Sequence, residues 1–147
     1  VIESDLWAYI NGGMDWEADR IEDQLASGVP DVSYTLTAVR HCLNCGATGF
    51  ESRCGWLELK VIPRWPVRGG VVKVGHFTSE QREWLERRFP STYLLLLVDD
   101  PAGREYVLLD GRTAARALGR VKREALLLGS LGHWAGKINF IELGELL

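Results

Sequence analysis

The chain has 147 residues, is 46% hydrophobic and carries a formal charge of −3, which fits one ordinary domain with enough apolar material for a core. It holds no apolar run of about 18 residues, so no membrane span is expected. Its first residues lack the basic start and apolar stretch of a signal peptide, so the expected location is cytoplasmic. Charge is unevenly spread: residues 1–31 hold eight acids and one base, and residues 60–88 hold seven bases and three acids. The first excess suits a cation and the second a polyanion.

In chain order, Leu6, Tyr9 and Ile10 form one apolar side of a predicted helix over residues 2–10, which Gly12 and Gly13 end. A short strand is predicted around residues 19–23. Pro30 restricts Val29 to extended geometry, and the Val, Tyr and Thr content of residues 31–39 reads as a strand. Residues 55–62 form the next strand, so the two make a long hairpin with the cysteines at or near its tip. "PRWPVRGG" is a loop. Residues 78–88 read as a helix opened by the capping box Thr78-Ser79-Glu80-Gln81. The run Tyr93–Val98 has no polar side and suits a central strand covered on both faces, with residues 105–109 as its neighbour. Short helices are predicted within residues 113–128, and a strand or turn followed by a helical stub closes the chain. The order, roughly αβββαββα, describes an α/β domain with a mixed sheet between helices. Residues 2–110 form its predicted core and 111–147 a helical extension.

The chemistry concentrates on the hairpin. Alternation along a strand puts Trp56, Glu58 and Lys60 on one face and Leu57, Leu59 and Val61 on the other. The aliphatic face is the expected buried one, which aims Glu58 and Lys60 at a cleft. Asp31 heads the partner strand and is expected to meet Glu58 across the ladder. Two close carboxylates resist joint ionisation unless a cation lies between them, and oxygen donors favour Mg²⁺ or Mn²⁺. A neighbouring lysine then serves to orient water or to stabilise charge on a phosphate.

"GVPD", a hairpin and "ELK" together resemble the signature of the PD-(D/E)XK nucleases, with Pro30-Asp31 and Glu58-Leu59-Lys60 in the conserved places. "RIEDQLASGVPDVSY", "GWLELK" and "HFTSEQREWL" are most similar to the archaeal-type and phage Holliday junction resolvases and to the VRR-NUC-like phage nucleases. The resemblance implies a restriction-endonuclease-like core with an extended β-hairpin and Mg²⁺-dependent endonuclease activity. Asp31, Glu58 and the Leu59 backbone carbonyl would be metal ligands and Lys60 the catalytic lysine. A further acid would come from the first helix, where Glu3 fits, with Glu22 as its rival. It also suggests Gln81 near the active site and Ser27 on the scissile phosphate. A resolvase implies branched DNA as partner and a homodimer matching the two-fold symmetry of a junction. A repair or restriction-like nuclease acting on another DNA structure is the alternative.

Arg64, Trp65, Arg68 and Lys73 follow the ELK strand in a loop suited to phosphates and an exposed base. "HCLNCG" has the form of a zinc knuckle, and Cys42, Cys45, Cys54 and His41 make a candidate structural Zn²⁺ set. A zinc-stabilised, non-catalytic nucleic-acid-binding module is the reading of a different class.

Overall fold

The computed structural model describes residues 2–21 and 28–147. Its elements are helix α1 (Glu3–Gly13), strands β1 (Glu17–Arg20), β2 (Val32–His41) and β3 (Thr48–Ile62), a 3₁₀ turn (Val67–Gly69), α2 (Ser79–Arg87), β4 (Thr92–Asp100), β5 (Gly103–Asp110), α3 (Gly111–Ala117), α4 (Arg123–Leu128), β6 (Gly132–Ala135) and α5 (Phe140–Leu146). Among the described residues, six strands form one sheet in the order β1-β2-β3-β4-β5-β6, in which β3 and β4 run parallel and the other pairs are antiparallel. A parallel pair needs a crossover, and α2 lies within it. The expected α/β class and mixed, helix-flanked sheet are therefore present.

Strand alternation sorts the core into two layers. On one side Leu57, Leu59, Leu95, Leu97, Tyr106 and Leu108 pack with Leu6 and Ile10 of α1 and Leu143 of α5. On the other, Ile62, Leu94, Leu96, Val98, Val107 and Leu109 pack with Leu85 of α2, Ala114 of α3 and Leu126 of α4. The run Leu94–Val98 is buried throughout, as a strand covered on both faces must be. Among the described residues no helix is long and apolar enough to cross a membrane.

Several elements differ from expectation. Gly12 and Gly13 lie inside α1, whose last turn is closed by the Met14 N–H donating to the Ile10 carbonyl. The first strand starts at Glu17 and its described part ends at Arg20. Strand β3 begins at Thr48 rather than Gly55, because paired residues 48–54 form a ribbon projecting beyond the packed sheet, where an apolar face is not required. Residues 111–147 are more than a helical extension: β6 joins the sheet edge, and α5 fills the same layer as α1.

Candidate active site

The β2–β3 register pairs Val32 with Leu57. Continued by one residue, it sets Asp31 opposite Glu58, on the face that α2 covers. Strand β2 ends there, and the backbone of β3 turns to the side chain of Asp31: the Leu59 N–H donates to Asp31 Oδ2 at 2.9 Å. A strand residue points its N–H and C=O to the same edge, so the Leu59 carbonyl shares that edge with Asp31.

Glu58 and Lys60 are buried, at 1% and 4% exposure. This corrects the expectation that only the aliphatic face of β3 is covered. The cover over the second face comes from residues remote in sequence. Glu58 Oε1 accepts from Gln81 Nε2 at 3.2 Å and lies 3.3 Å from Lys60 Nζ. Lys60 Nζ also donates to the His76 carbonyl at 3.2 Å and stands 6.0 Å from the centre of the Phe77 ring. His76 holds a left-handed backbone conformation (φ 58°), uncommon for a residue with a side chain. Strand alternation gave no sign of the His76 carbonyl or of Phe77, since both reach Lys60 only through the crossover.

Gln81 satisfies two readings together. Its Oε1 accepts from the Thr78 N–H at 3.0 Å and its N–H donates to Thr78 Oγ1 at 3.2 Å, which completes the capping box. Its amide nitrogen remains free to hold Glu58. Arg82 is tied down as well, donating to the carbonyls of Ala115 and Leu118 at the end of α3.

The pair is electrostatically loaded. Burial, and after it the negative charge of Asp31, raise the Glu58 carboxyl to about 8, against the opposing pull of Lys60. As a carboxylate, Glu58 leaves Oε2 buried without a hydrogen-bond partner. When protonated, Glu58 can donate to the adjacent Asp31 instead. A hard divalent cation fits the same place. Asp31, Glu58 and the Leu59 carbonyl supply oxygen donors, and the unpartnered Oε2 has need of a positive charge. Mg²⁺ keeps several waters, so two carboxylates suffice.

The wider set is only partly assembled. Among the described residues no three His, Cys, Asp or Glu side chains converge to hold a metal. Glu3 lies in the first turn of α1, the helix that packs on the opposite face of the sheet, and its side chain makes no hydrogen bond or ion pair with a described residue. Glu22 and Ser27 fall outside the described residues. Arg64, Arg68 and Lys73 are exposed on the loop after β3 as expected. They belong to a stretch that borders a depression of about 500 Å³ lined by Arg64 and Lys73 but not by Asp31, Glu58 or Lys60. Trp65 does not present a face to a base. It is buried with Ile62, Leu94 and Leu96, donates its indole N–H to Glu105, and carries Arg123 over its ring at 4.9 Å. Trp65→Phe is therefore expected to lower unfolding stability in urea by about 1 kcal/mol through loss of that partly buried bond.

The candidate zinc set does not form. Cys54 pairs with Thr35, whereas the tip closes at His41–Thr48. Cys54 is thus about 20 Å along the strand from Cys42 and Cys45. His41 Nδ1 is within 3.3 Å of Thr48 Oγ1.

The turn that leads into Pro30-Asp31 is held by close backbone contact. Gly28 has φ +85°, and a Cβ there would lie 2.6 Å from the Glu80 carbonyl oxygen in the first turn of α2. The approach to Asp31 and the helix carrying Gln81 therefore touch backbone to backbone. Gly28→Ala is expected to cost about 2 kcal/mol or more, read as a lowered melting temperature, because both the space and the backbone angle oppose a side chain. Comparisons of the chain with family models, with curated proteins and with solved structures found no match.

Proposed function

We propose that the chain is a metal-dependent endonuclease acting on branched DNA, with a four-way junction as its substrate and a two-fold dimer as its working form. One observation carries the reading: a buried Glu58 carboxyl with an unpartnered oxygen, set beside the half-buried Asp31 and with a lysine against it, at the point where two strands separate. A structural ion pair has no need of the second carboxylate, which raises the cost of burying the first.

Asp31, Glu58 and the Leu59 carbonyl would hold Mg²⁺ or Mn²⁺, which supplies Lewis acidity to the scissile phosphodiester when bound. Gln81 fixes the Glu58 carboxylate from the side, so its free oxygen is already aimed before substrate arrives. Lys60 Nζ lies 3.3 Å from Glu58 Oε1, where it would orient the attacking water and stabilise the extra negative charge that the phosphoryl group gains during displacement. The water oxygen bonds to phosphorus and releases a proton to solvent, the phosphorus–oxygen bond to the leaving sugar breaks, and that sugar oxygen takes up a proton from solvent. Arg64, Arg68 and Lys73 lie on the loop that continues β3 and are placed to position the backbone of the nucleic acid.

The test is incubation with Mg²⁺ and labelled four-way junction, flap and linear duplex, beside Asp31→Ala and Glu58→Ala. Paired symmetric cuts in the junction, lost in both variants, are expected. Cuts confined to flap or duplex would assign the chain to repair or restriction-like chemistry. Cleavage that survives both substitutions would overturn the site, and a strictly monomeric mass in light scattering with junction bound would overturn the dimer.

A further inference from the structure

The β2–β3 ribbon ends in a feature that the nuclease reading does not use. The Cys42 N–H donates to the Ala47 carbonyl at 2.8 Å, and the Gly46 N–H returns to the Cys42 carbonyl at 2.9 Å. Gly46 takes φ +70°, so the loop closes tightly around Cys42. The backbone N–H groups of Asn44 and Cys45 and the Cys45 thiol lie around the Cys42 sulfur. Both thiols are exposed. This arrangement prepares two sulfur ligands on one side of a turn, with amides that offset the charge of a thiolate.

Two thiolates are half of a tetrahedral set. Among the described residues this chain offers no other half, since no third His, Cys, Asp or Glu joins them, Cys54 is far along the strand and His41 is engaged with Thr48. The tip is also apolar where a lone chain has no use for it. Leu43 is fully exposed beside Cys42, and the cross-strand pair Val39–Phe50 stands in water, with Phe50 77% exposed. We propose that Cys42 and Cys45 are a zinc half-site completed by the same two cysteines of a second copy, so that one Zn²⁺ clasps two ribbons tip to tip in a two-fold contact. Four thiolates close the coordination shell, and the contact is isologous, each copy giving and receiving the same patch. Leu43 and the Val39–Phe50 pair then lose water together.

The inference does not rest on the nuclease reading, and its test has a readout other than cleavage. The full chain, reduced and metal-free, is titrated with Co²⁺ and then Zn²⁺. The expected result is thiolate-to-cobalt absorption with tetrahedral visible bands, saturating at one ion per two chains and displaced by Zn²⁺. Cys42→Ser and Cys45→Ser should each abolish the thiolate band or reduce it several-fold, whereas Cys54→Ser and His41→Ala leave it intact. Circular dichroism confirms that the tip variants keep their fold. Saturation at one ion per chain, absence of a thiolate band, or its loss in Cys54→Ser would overturn the proposal. Zinc binding without DNA cleavage leaves the clasp standing and counts against the nuclease alone.

Discussion

Glu58→Gln is expected to abolish Mg²⁺-dependent DNA cleavage, by about 10³-fold or more, and at the same time to make the metal-free protein more stable at alkaline pH. The two effects have one cause. Glutamine keeps the shape of Glu58, which is 1% exposed, and can still meet Gln81. It removes the charge that desolvation and Asp31 both oppose. A carboxylate that served only the fold would show the reverse sign, since breaking a useful buried pair destabilises. Asp31→Asn should lose cleavage to a similar degree. Its stability gain should be smaller, because Asp31 also accepts the Leu59 N–H. Melting curves at pH 9 in EDTA, beside single-turnover cleavage with Mg²⁺, check both halves. A Glu58→Gln protein that melts earlier than the parent would contradict the account.

The second large effect is a fall in stability with rising pH. The folded-state carboxyl of Glu58 is raised from 4.5 to about 8. Between those values the unfolded chain releases this proton while the folded chain retains it, so the unfolded state binds fewer protons and stability declines. The contribution is whole below about pH 4.5 and lost by about pH 8, with a span on the order of 5 kcal/mol at most. Other groups titrate in the same range, so the decisive quantity is the difference between parent and Glu58→Gln, measured by urea unfolding in EDTA from pH 5 to pH 9. That difference should grow with pH and then level off. Asp31→Asn should narrow it, because the charge of Asp31 is the second cause of the shift. A difference that stays constant across the range would place the Glu58 titration elsewhere.

The parts of this site set by short-range geometry were legible in the sequence. Period-two alternation put Glu58 and Lys60 on one face, the strand ends put Asp31 opposite Glu58, and the spacing of Thr78 and Gln81 announced the capping box. The misjudged parts depend on partners far along the chain. Leu57 and Leu59 mark one face of β3 as buried, but Glu58 and Lys60 make the other face look open; α2 and the His76 carbonyl cover it. Trp65 stands among prolines and glycines, as an exposed aromatic would. Its placement is decided by Glu105, forty positions later. Strand β6 is four residues long and includes a glycine, so only its pairing with β5 makes it visible. Cys54 was displaced from the zinc set by a longer β3, whose outer half is largely exposed and so carries no continuous apolar face to announce it.

Sequential strand order has a consequence for how the molecule is made. Two neighbouring pairs can begin pairing at a tight turn and zip outward, β2 with β3 from His41–Thr48 and β4 with β5 from Asp100–Gly103. The joint between β3 and β4 cannot, because each residue meets a partner 36 positions away, from Trp56–Thr92 to Ile62–Val98. Loop-closure entropy makes that joint the most expensive to start. Gln81 and the His76 carbonyl lie on the segment that crosses it. The hairpin thus brings Asp31 and Glu58 together while both still face water, and Glu58 is sealed from solvent only when the β3–β4 joint closes over it.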